Sequence, residues 1–142
     1  MKPDLPPIAA PVQLDHRSTE LRLLADPRTF AAVRRTVRAQ LGEWGLAELT
    51  TAAAMCVTEL LSNVHKHVPS PRCVLRFTRI TGGIRISVTD GDPAMPVVCE
   101  PDCLAERGRG LFLLTESVAD WGARPDPVGG GKVVWFELRT DG

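Results

Sequence analysis

The chain has 142 residues, of which 17 are basic and 17 are acidic, so it carries no formal net charge and indicates no broad binding surface for nucleic acid or anionic membrane. One domain of this length buries roughly two thirds of the surface that its unfolded chain exposes, so no second folding unit is needed. No apolar run approaches the roughly 20 residues that span a bilayer, and the proline-rich start lacks the apolar core of a signal peptide, which predicts a cytoplasmic protein.

The first 17 residues contain four prolines and no hydrophobic period, which predicts a flexible N-terminal arm before a single domain at 18–142. The segment STELRLLAD then alternates, with Leu21 and Leu23 on one side of a predicted strand. Asp26 followed by Pro27 is typical of a helix start. Apolar residues then recur at helical spacing and predict a first helix that ends at about Gly42.

A second helix is predicted from about residue 46 to residue 67, because Pro69 disfavours a helical conformation at the residue before it. Winding this helix at about 100° per residue places an apolar stripe on one face. Glu59 and Asn63 lie together at the edge of that stripe, while Thr58 and Ser62 are expected on the solvent side. A core-facing helix therefore carries a carboxylate and an amide one turn apart.

Two alternating segments, RCVLRFTRI and IRISVTD, predict an antiparallel hairpin with Gly82 and Gly83 as its two-residue turn. A long segment without periodicity, 91–108, predicts a functional or mobile loop. Helical spacing resumes after Gly108, and a short strand, a glycine-rich turn and a closing strand end the chain. The expected fold class is α/β, with one sheet covered by helices on one face.

Three polar features stand out along this order of elements. Glu59 and Asn63 lie on the second helix, Asp90 ends a strand, and Gly108 and Gly110 open a helix whose N-terminal N–H groups favour phosphate. Each has an ordinary structural explanation, since a helix-surface pair contributes only a few tenths of a kcal/mol and a strand-end Asp commonly forms a turn. The order of the three is more specific than any one of them.

In that order the chain resembles the GHKL, or Bergerat-fold, ATPase superfamily, and within it the anti-sigma-factor serine kinases. TELLSNVHKH resembles the family's N-box, VTDGDP its first glycine box, GRGLFLL its second and GGGKVVWFEL its closing motif. The resemblance covers about residues 18–139. It implies a two-layer α/β sandwich with a mixed, mainly antiparallel sheet, and ATP bound between helices and sheet under a mobile lid, which would be the loop 91–108.

The resemblance also implies roles for individual residues. Glu59 would be the general base toward a serine hydroxyl, and Asn63 would hold Mg²⁺ through its side-chain oxygen. Asp90 would accept a hydrogen bond from the adenine amino group, and Asp92 follows it in the same nucleotide-binding motif. The phosphates would be wrapped by four consecutive residues, with positive charge from the arginine: Gly108, Arg109, Gly110 and Leu111.

The chain departs from the family pattern at two places. The first glycine box usually reads D-x-G-x-G, whereas here Asp90 is followed by Gly91, Asp92, Pro93 and Ala94. Val133 is taken to stand where family members carry a threonine that supports the adenine-binding Asp. Both departures bear on adenine binding and leave Glu59 and Asn63 unchanged.

Three functions are compatible with these residues. The first is an anti-sigma factor that uses ATP to phosphorylate a serine or threonine of its antagonist, a STAS-type domain, and otherwise sequesters a sigma factor, usually as a homodimer. The second is an ATP-binding partner-switching module with little or no phosphotransfer. The third, a detached catalytic domain of the histidine-kinase kind, fits less well because no helix pair with a phospho-acceptor His precedes the domain. In all three, no direct binding to nucleic acid or membrane is expected.

Overall fold

The computed structural model describes residues 10–94 and 118–140. They form a six-stranded sheet in the order β1-β2-β3-β4-β6-β5. The strands are β1 (Val12–Gln13), β2 (Ser18–Leu24), β3 (Arg72–Ile80), β4 (Gly83–Asp90), β5 (Asp120–Pro125) and β6 (Lys132–Arg139). Two helices, α1 (Phe30–Glu43) and α2 (Thr50–His67), pack on each other, and α2 packs on β4 and β6. The predicted α/β fold class is confirmed.

All five strand pairings in the described part of the chain are antiparallel. The mixed sheet that the resemblance implied is therefore antiparallel throughout these residues. The predicted lid from residue 95 onward and the predicted helix after Gly108 lie outside the described residues.

The first helix begins at Phe30, three residues after the start predicted at Pro27. The carboxylate of Asp26 accepts a hydrogen bond from the backbone N–H of Arg28, and a short 3-10 turn, Pro27–Thr29, leads into α1. Its buried residues are those of the predicted apolar stripe: Phe30, Val33, Val37 and Leu41. Local capping and helical periodicity are sufficient to define this element.

The second helix ends at His67, and Val68 is extended (φ −101°, ψ 132°), as expected for a residue before proline. Its buried face is wider than the predicted stripe and includes Cys56 and Leu61. Thr58 and Ser62, predicted on the solvent side, are half-buried, and Thr58 lines a groove together with Arg34 and Arg38 of α1.

The hairpin between β3 and β4 forms with a turn one residue earlier than predicted. Thr81 and Gly82 make the turn, and Gly82 has a φ of 73°, which favours glycine. Gly83 instead belongs to β4 and pairs with Ile80. A Cβ at Gly83 would lie 1.9 Å from the backbone oxygen of Leu138, so this glycine allows β4 and β6 to approach.

The segment interpreted as a flexible arm contains β1, whose Val12 pairs with Glu20 of β2. The four prolines that precede this short edge strand obscured it in the sequence. The domain boundary at residue 18 remains a prediction. No helix in the described residues is long and apolar enough to cross a membrane.

Alternation along the strands divides the sheet into two faces. The helix-covered face carries the apolar core, including Leu75, Ile86 and Phe136, each fully buried. The opposite face carries Arg76, Arg85 and Glu137. Because side chains alternate along a strand, Asp90 shares the core face with Ile86 and Val88.

Candidate functional site

Glu59 and Asn63 lie one turn apart on α2, and both are half-buried. Glu59 lines an open groove between α1 and α2, of about 370 Å³, together with Arg34 and Arg38. Met55, 55 % exposed, lies on the same groove. The carboxylate of Glu59 is thus reachable from solvent and shares its groove with two cationic side chains.

Asp90 is the last residue of β4 and is buried, with only 3 % of its side chain exposed. Its Oδ1 accepts a hydrogen bond from the backbone N–H of Asp92 at 2.8 Å and another from the Lys132 ammonium at 3.0 Å. A buried carboxylate is costly unless it is paired and hydrogen-bonded. Lys132 meets that requirement.

Lys132 begins β6 and is itself buried, with 7 % of its side chain exposed. Its ammonium also donates to the backbone oxygen of Asp92 at 3.1 Å. The ammonium therefore joins the ends of two strands to the start of the segment after Asp90. The sequence analysis does not identify this residue. Its position could have indicated a role, because lysine is seldom buried and this one directly follows three glycines at the start of the closing strand.

Strand register corrects the assignment of Val133. Asp90 pairs with Lys132, whereas Val133 pairs with Thr89. Because neighbouring residues on a strand point to opposite faces, Val133 lies on the face away from Asp90. Lys132, and not Val133, stands opposite the carboxylate, at the place where the resemblance leads one to expect a supporting hydroxyl.

The approach of β6 to Asp90 depends on a glycine. A Cβ at Gly131 would lie 1.8 Å from the backbone oxygen of Asp90 and 2.8 Å from the Cα of Gly91. Before it, Gly130 has a φ of 75°, and Asp126 accepts hydrogen bonds from the N–H groups of Val128 and Gly129. The glycine-rich turn thus allows the close contact that sets Lys132 against Asp90.

Asp92 has a local structural role in these residues. Its carboxylate accepts a hydrogen bond from the backbone N–H of Ala94 at 3.0 Å, and its own N–H and C=O bind Asp90 and Lys132. The side chain therefore turns back on its own chain, as Asp commonly does in turns. Its assignment to nucleotide binding stays a prediction.

Glu59 and Asp90 line two different depressions of the described residues. Asp90 lines a cleft of about 620 Å³ at the strand ends, with Leu23, Cys73 and Asp126 among its other residues. Glu59 lines the groove between the helices, and Asn63 lines neither of these two depressions. Four predicted phosphate-binding residues lie outside the described residues: Gly108, Arg109, Gly110 and Leu111.

The donor set is compatible with a magnesium nucleotide between α2 and the sheet. Asn63 offers a side-chain oxygen, and Mg²⁺ takes one or two protein oxygens and completes its shell with phosphates and water. At the other end, the Asp90 carboxylate can accept from a base amino group. The same carboxylate accepts a hydrogen bond from Lys132. A nucleotide base would therefore meet a carboxylate paired with an ammonium group, and not a lone carboxylate.

Comparison with known proteins concerns the domain as a whole. The family model described as the histidine kinase-like ATPase domain matches residues 23–138. A search of curated proteins finds no match. The matched segment runs from the end of β2 to the end of β6 and includes the helices that cover the sheet. This chain belongs to the histidine kinase-like ATPase domain family of the GHKL superfamily.

Proposed function

We propose that this protein is an anti-sigma factor that uses ATP and Mg²⁺ to phosphorylate a serine or threonine of its antagonist, a STAS-type domain. The proposed protein is a cytoplasmic homodimer that also sequesters a sigma factor, with no direct contact to nucleic acid or membrane. It controls transcription by exchanging these two partners. The ATPase family and the placement of Glu59 support the kinase part of the proposal.

One observation carries the proposal: Glu59 is reachable from an open groove and lies one helical turn before Asn63. In the proposed reaction Glu59 takes the proton of the substrate hydroxyl as that oxygen bonds to the γ-phosphorus and ADP leaves. Asn63 holds Mg²⁺, which screens the phosphate charges when it is bound. Positions one turn apart on one helix suit these two roles, because Glu59 acts on the hydroxyl oxygen and Asn63, through Mg²⁺, on the phosphate to which that oxygen bonds.

A protein substrate also fits the groove that Glu59 lines. Arg34 and Arg38 border it with positive charge, and Met55 adds exposed apolar surface. A partner with an acidic and apolar surface would complement it. The zero net charge of the chain is consistent with a protein partner in preference to nucleic acid.

A second candidate function is a partner-switching module with weak phosphotransfer. The observation that favours it is the Lys132 ammonium on the Asp90 carboxylate, which engages the group expected to select adenine. Such a module would bind its partners through the same groove. The two candidates differ only in whether phosphate is transferred.

The test is phosphotransfer from labelled ATP to STAS-type domains encoded in the same genome, with wild type and Glu59→Gln. The amide keeps the size of the side chain but cannot take the hydroxyl proton, so transfer should fall by roughly 10²-fold to 10⁴-fold while partner binding persists. Glu48→Gln, at an exposed position outside the groove, is the control and should leave the rate unchanged. If wild type binds ATP and an antagonist and still transfers no phosphate, the kinase proposal is wrong and the module remains.

A further inference from the structure

We infer that Lys132 is a base-selectivity residue that lets the nucleotide site accept a 6-oxopurine, guanine or hypoxanthine, alongside adenine. The inference rests on the proposed nucleotide binding, and it concerns the base alone. It follows from the buried pair of Asp90 and Lys132 on the helix-covered face of the sheet.

Asp90 and Lys132 form a buried polar pair whose position is fixed by the fold. Both side chains are more than nine-tenths buried, and the ammonium is 3.0 Å from Oδ1 of Asp90. Their strands are fixed in register by the ladder from Gly83 to Asp90 and by the close approach at Gly131. Hydrogen bonds to the described residues use two of the three ammonium donors, on Asp90 and on the backbone oxygen of Asp92.

A lone carboxylate discriminates between purines because it can only accept hydrogen bonds. Adenine presents an amino donor at C6, whereas guanine presents an oxygen there. The carboxylate therefore favours adenine and repels the oxygen of a 6-oxopurine. Polar sites of this kind reject a mismatched partner strongly, because their own buried groups are left unpaired.

A carboxylate beside an ammonium presents an acceptor and a donor together. The adenine edge carries an amino donor at C6 next to the N1 acceptor, and the 6-oxopurine edge carries an oxygen acceptor at C6 next to the N1–H donor. Either edge can be satisfied by exchanging which of Asp90 and Lys132 meets the substituent at C6. The pair consequently removes the penalty that a lone carboxylate places on the oxygen.

The pair also lowers the gain from adenine. Both described hydrogen bonds to the carboxylate fall on Oδ1, and the ammonium neutralises the charge that would strengthen a bond to the amino group. The preference for adenine over a 6-oxopurine therefore falls for two reasons: the oxygen is penalised less, and the amino group is bound less strongly. Wild type should bind ATP and GTP with dissociation constants within about tenfold of each other, since each base makes one donor and one acceptor contact.

The experiment measures Mg²⁺-dependent binding of ATP, GTP and ITP to the full chain by calorimetry, for wild type, Lys132→Met and Lys132→Thr. Removing the ammonium should weaken GTP and ITP relative to ATP by about 10-fold to 100-fold, the effect of losing one charged hydrogen bond. ITP lacks the 2-amino group, so a parallel change in GTP and ITP locates the effect at C6 and N1. Lys66→Met, which removes an exposed lysine of α2, is the matched control and should leave all three constants unchanged.

The outcomes separate this inference from the proposed function. Wild type that binds ATP more than 100-fold more tightly than GTP and ITP would overturn the inference while the proposed function stands. Equal weakening of all three nucleotides in folded Lys132 variants would show that Lys132 only supports the fold, and would also overturn it. Wild type that binds none of them would remove nucleotide binding itself, and with it both proposals. A wild-type ratio above 100 overturns the inference even if a variant does not fold.

Discussion

Glycine serves opposite purposes at two positions in this chain. Gly131 lies where the start of β6 meets the backbone of Asp90, and a Cβ there would come within 1.8 Å of the Asp90 oxygen. Gly42 lies in the last turn of α1, where a Cβ would have no neighbour within 4 Å. The first glycine is required by packing, whereas the second only adds conformational freedom to the unfolded chain.

Alanine at these two positions should change stability in opposite directions. Gly131→Ala forces two backbones apart and should lower the free energy of unfolding by about 1–3 kcal/mol, as overpacked cores do. Gly42→Ala should raise it by up to about 1 kcal/mol, because alanine is the better helix former. Urea unfolding of both variants beside wild type measures the two changes. A stabilised Gly131→Ala would mean that β6 does not approach Asp90 as described.

A charged cluster links β4 and β6 on the side of the sheet away from the helices. Glu137 of β6 is buried and accepts hydrogen bonds from Arg85 and Arg139, whose side chains are about half exposed. Arg85 also stacks over the Trp135 ring, 4.7 Å from its centroid. The Arg85 and Arg139 guanidinium groups hold the pKa of Glu137 below its usual range.

This cluster predicts a pH dependence of stability with a definite sign. The pKa of Glu137 is lower in the folded than in the unfolded chain, so its contribution is complete above the unfolded value, about 4.3, and is lost as pH falls through the folded value. Solvent screens the half-exposed arginines, so Glu137→Gln should cost only about 1 kcal/mol at pH 7.

The measurement is urea unfolding of wild type and Glu137→Gln between pH 7 and pH 3. The difference between them should shrink as the solution becomes more acidic. Glu48→Gln, at an exposed carboxyl without an ion pair among the described residues, is the control. A difference that stays constant across this range would show that the charge of Glu137 does not stabilise the strand pair.

At the scale of the whole molecule, the candidate site is divided between two layers. The helix layer carries Glu59 and Asn63 on α2, and the sheet carries Asp90 and Lys132 at facing ends of β4 and β6. The contacts of α2 with β4 and β6 join the layers. A nucleotide bound between them should therefore stabilise the fold as a unit.

Substitution of Asn63 should remove the part of that stabilisation that depends on Mg²⁺ and leave the part that comes from the nucleotide base. Nucleotide at 1,000 times its dissociation constant adds about 4 kcal/mol to the stability of a protein that binds it only when folded. In Asn63→Ala the increase in Tm that Mg²⁺ adds to ATP should be lost, because the side-chain oxygen of the metal site is gone.

Ser62→Ala, at the half-buried neighbouring position on α2, is the control and should retain the full increase in Tm. Thermal unfolding with ATP, in the presence of Mg²⁺ and in the presence of a chelator, measures the effect. The same Mg²⁺-dependent increase in Asn63→Ala as in wild type would exclude Asn63 as the metal ligand.

The sequence alone was enough for those elements whose signals are local. Helix α1 follows from the cap at Asp26 and from an apolar stripe at helical spacing, and β3 and β4 follow from strict alternation. Glu59 and Asn63 were placed one turn apart at the edge of the core by periodicity, and both are half-buried. Such signals depend on neighbours within a few residues, which the sequence displays directly.

Only the tertiary structure decided which distant residues these elements contact. The partner of Asp90 is Lys132, 42 positions away, because the register of β4 and β6 is set by the ladder and by the contact at Gly131. An error of one residue in that register exchanges the two faces, so the sequence points to Val133 where the structure has Lys132. Burial of Thr58 and the pairing of β1 with β2 likewise depend on packing between distant segments, which no local pattern encodes.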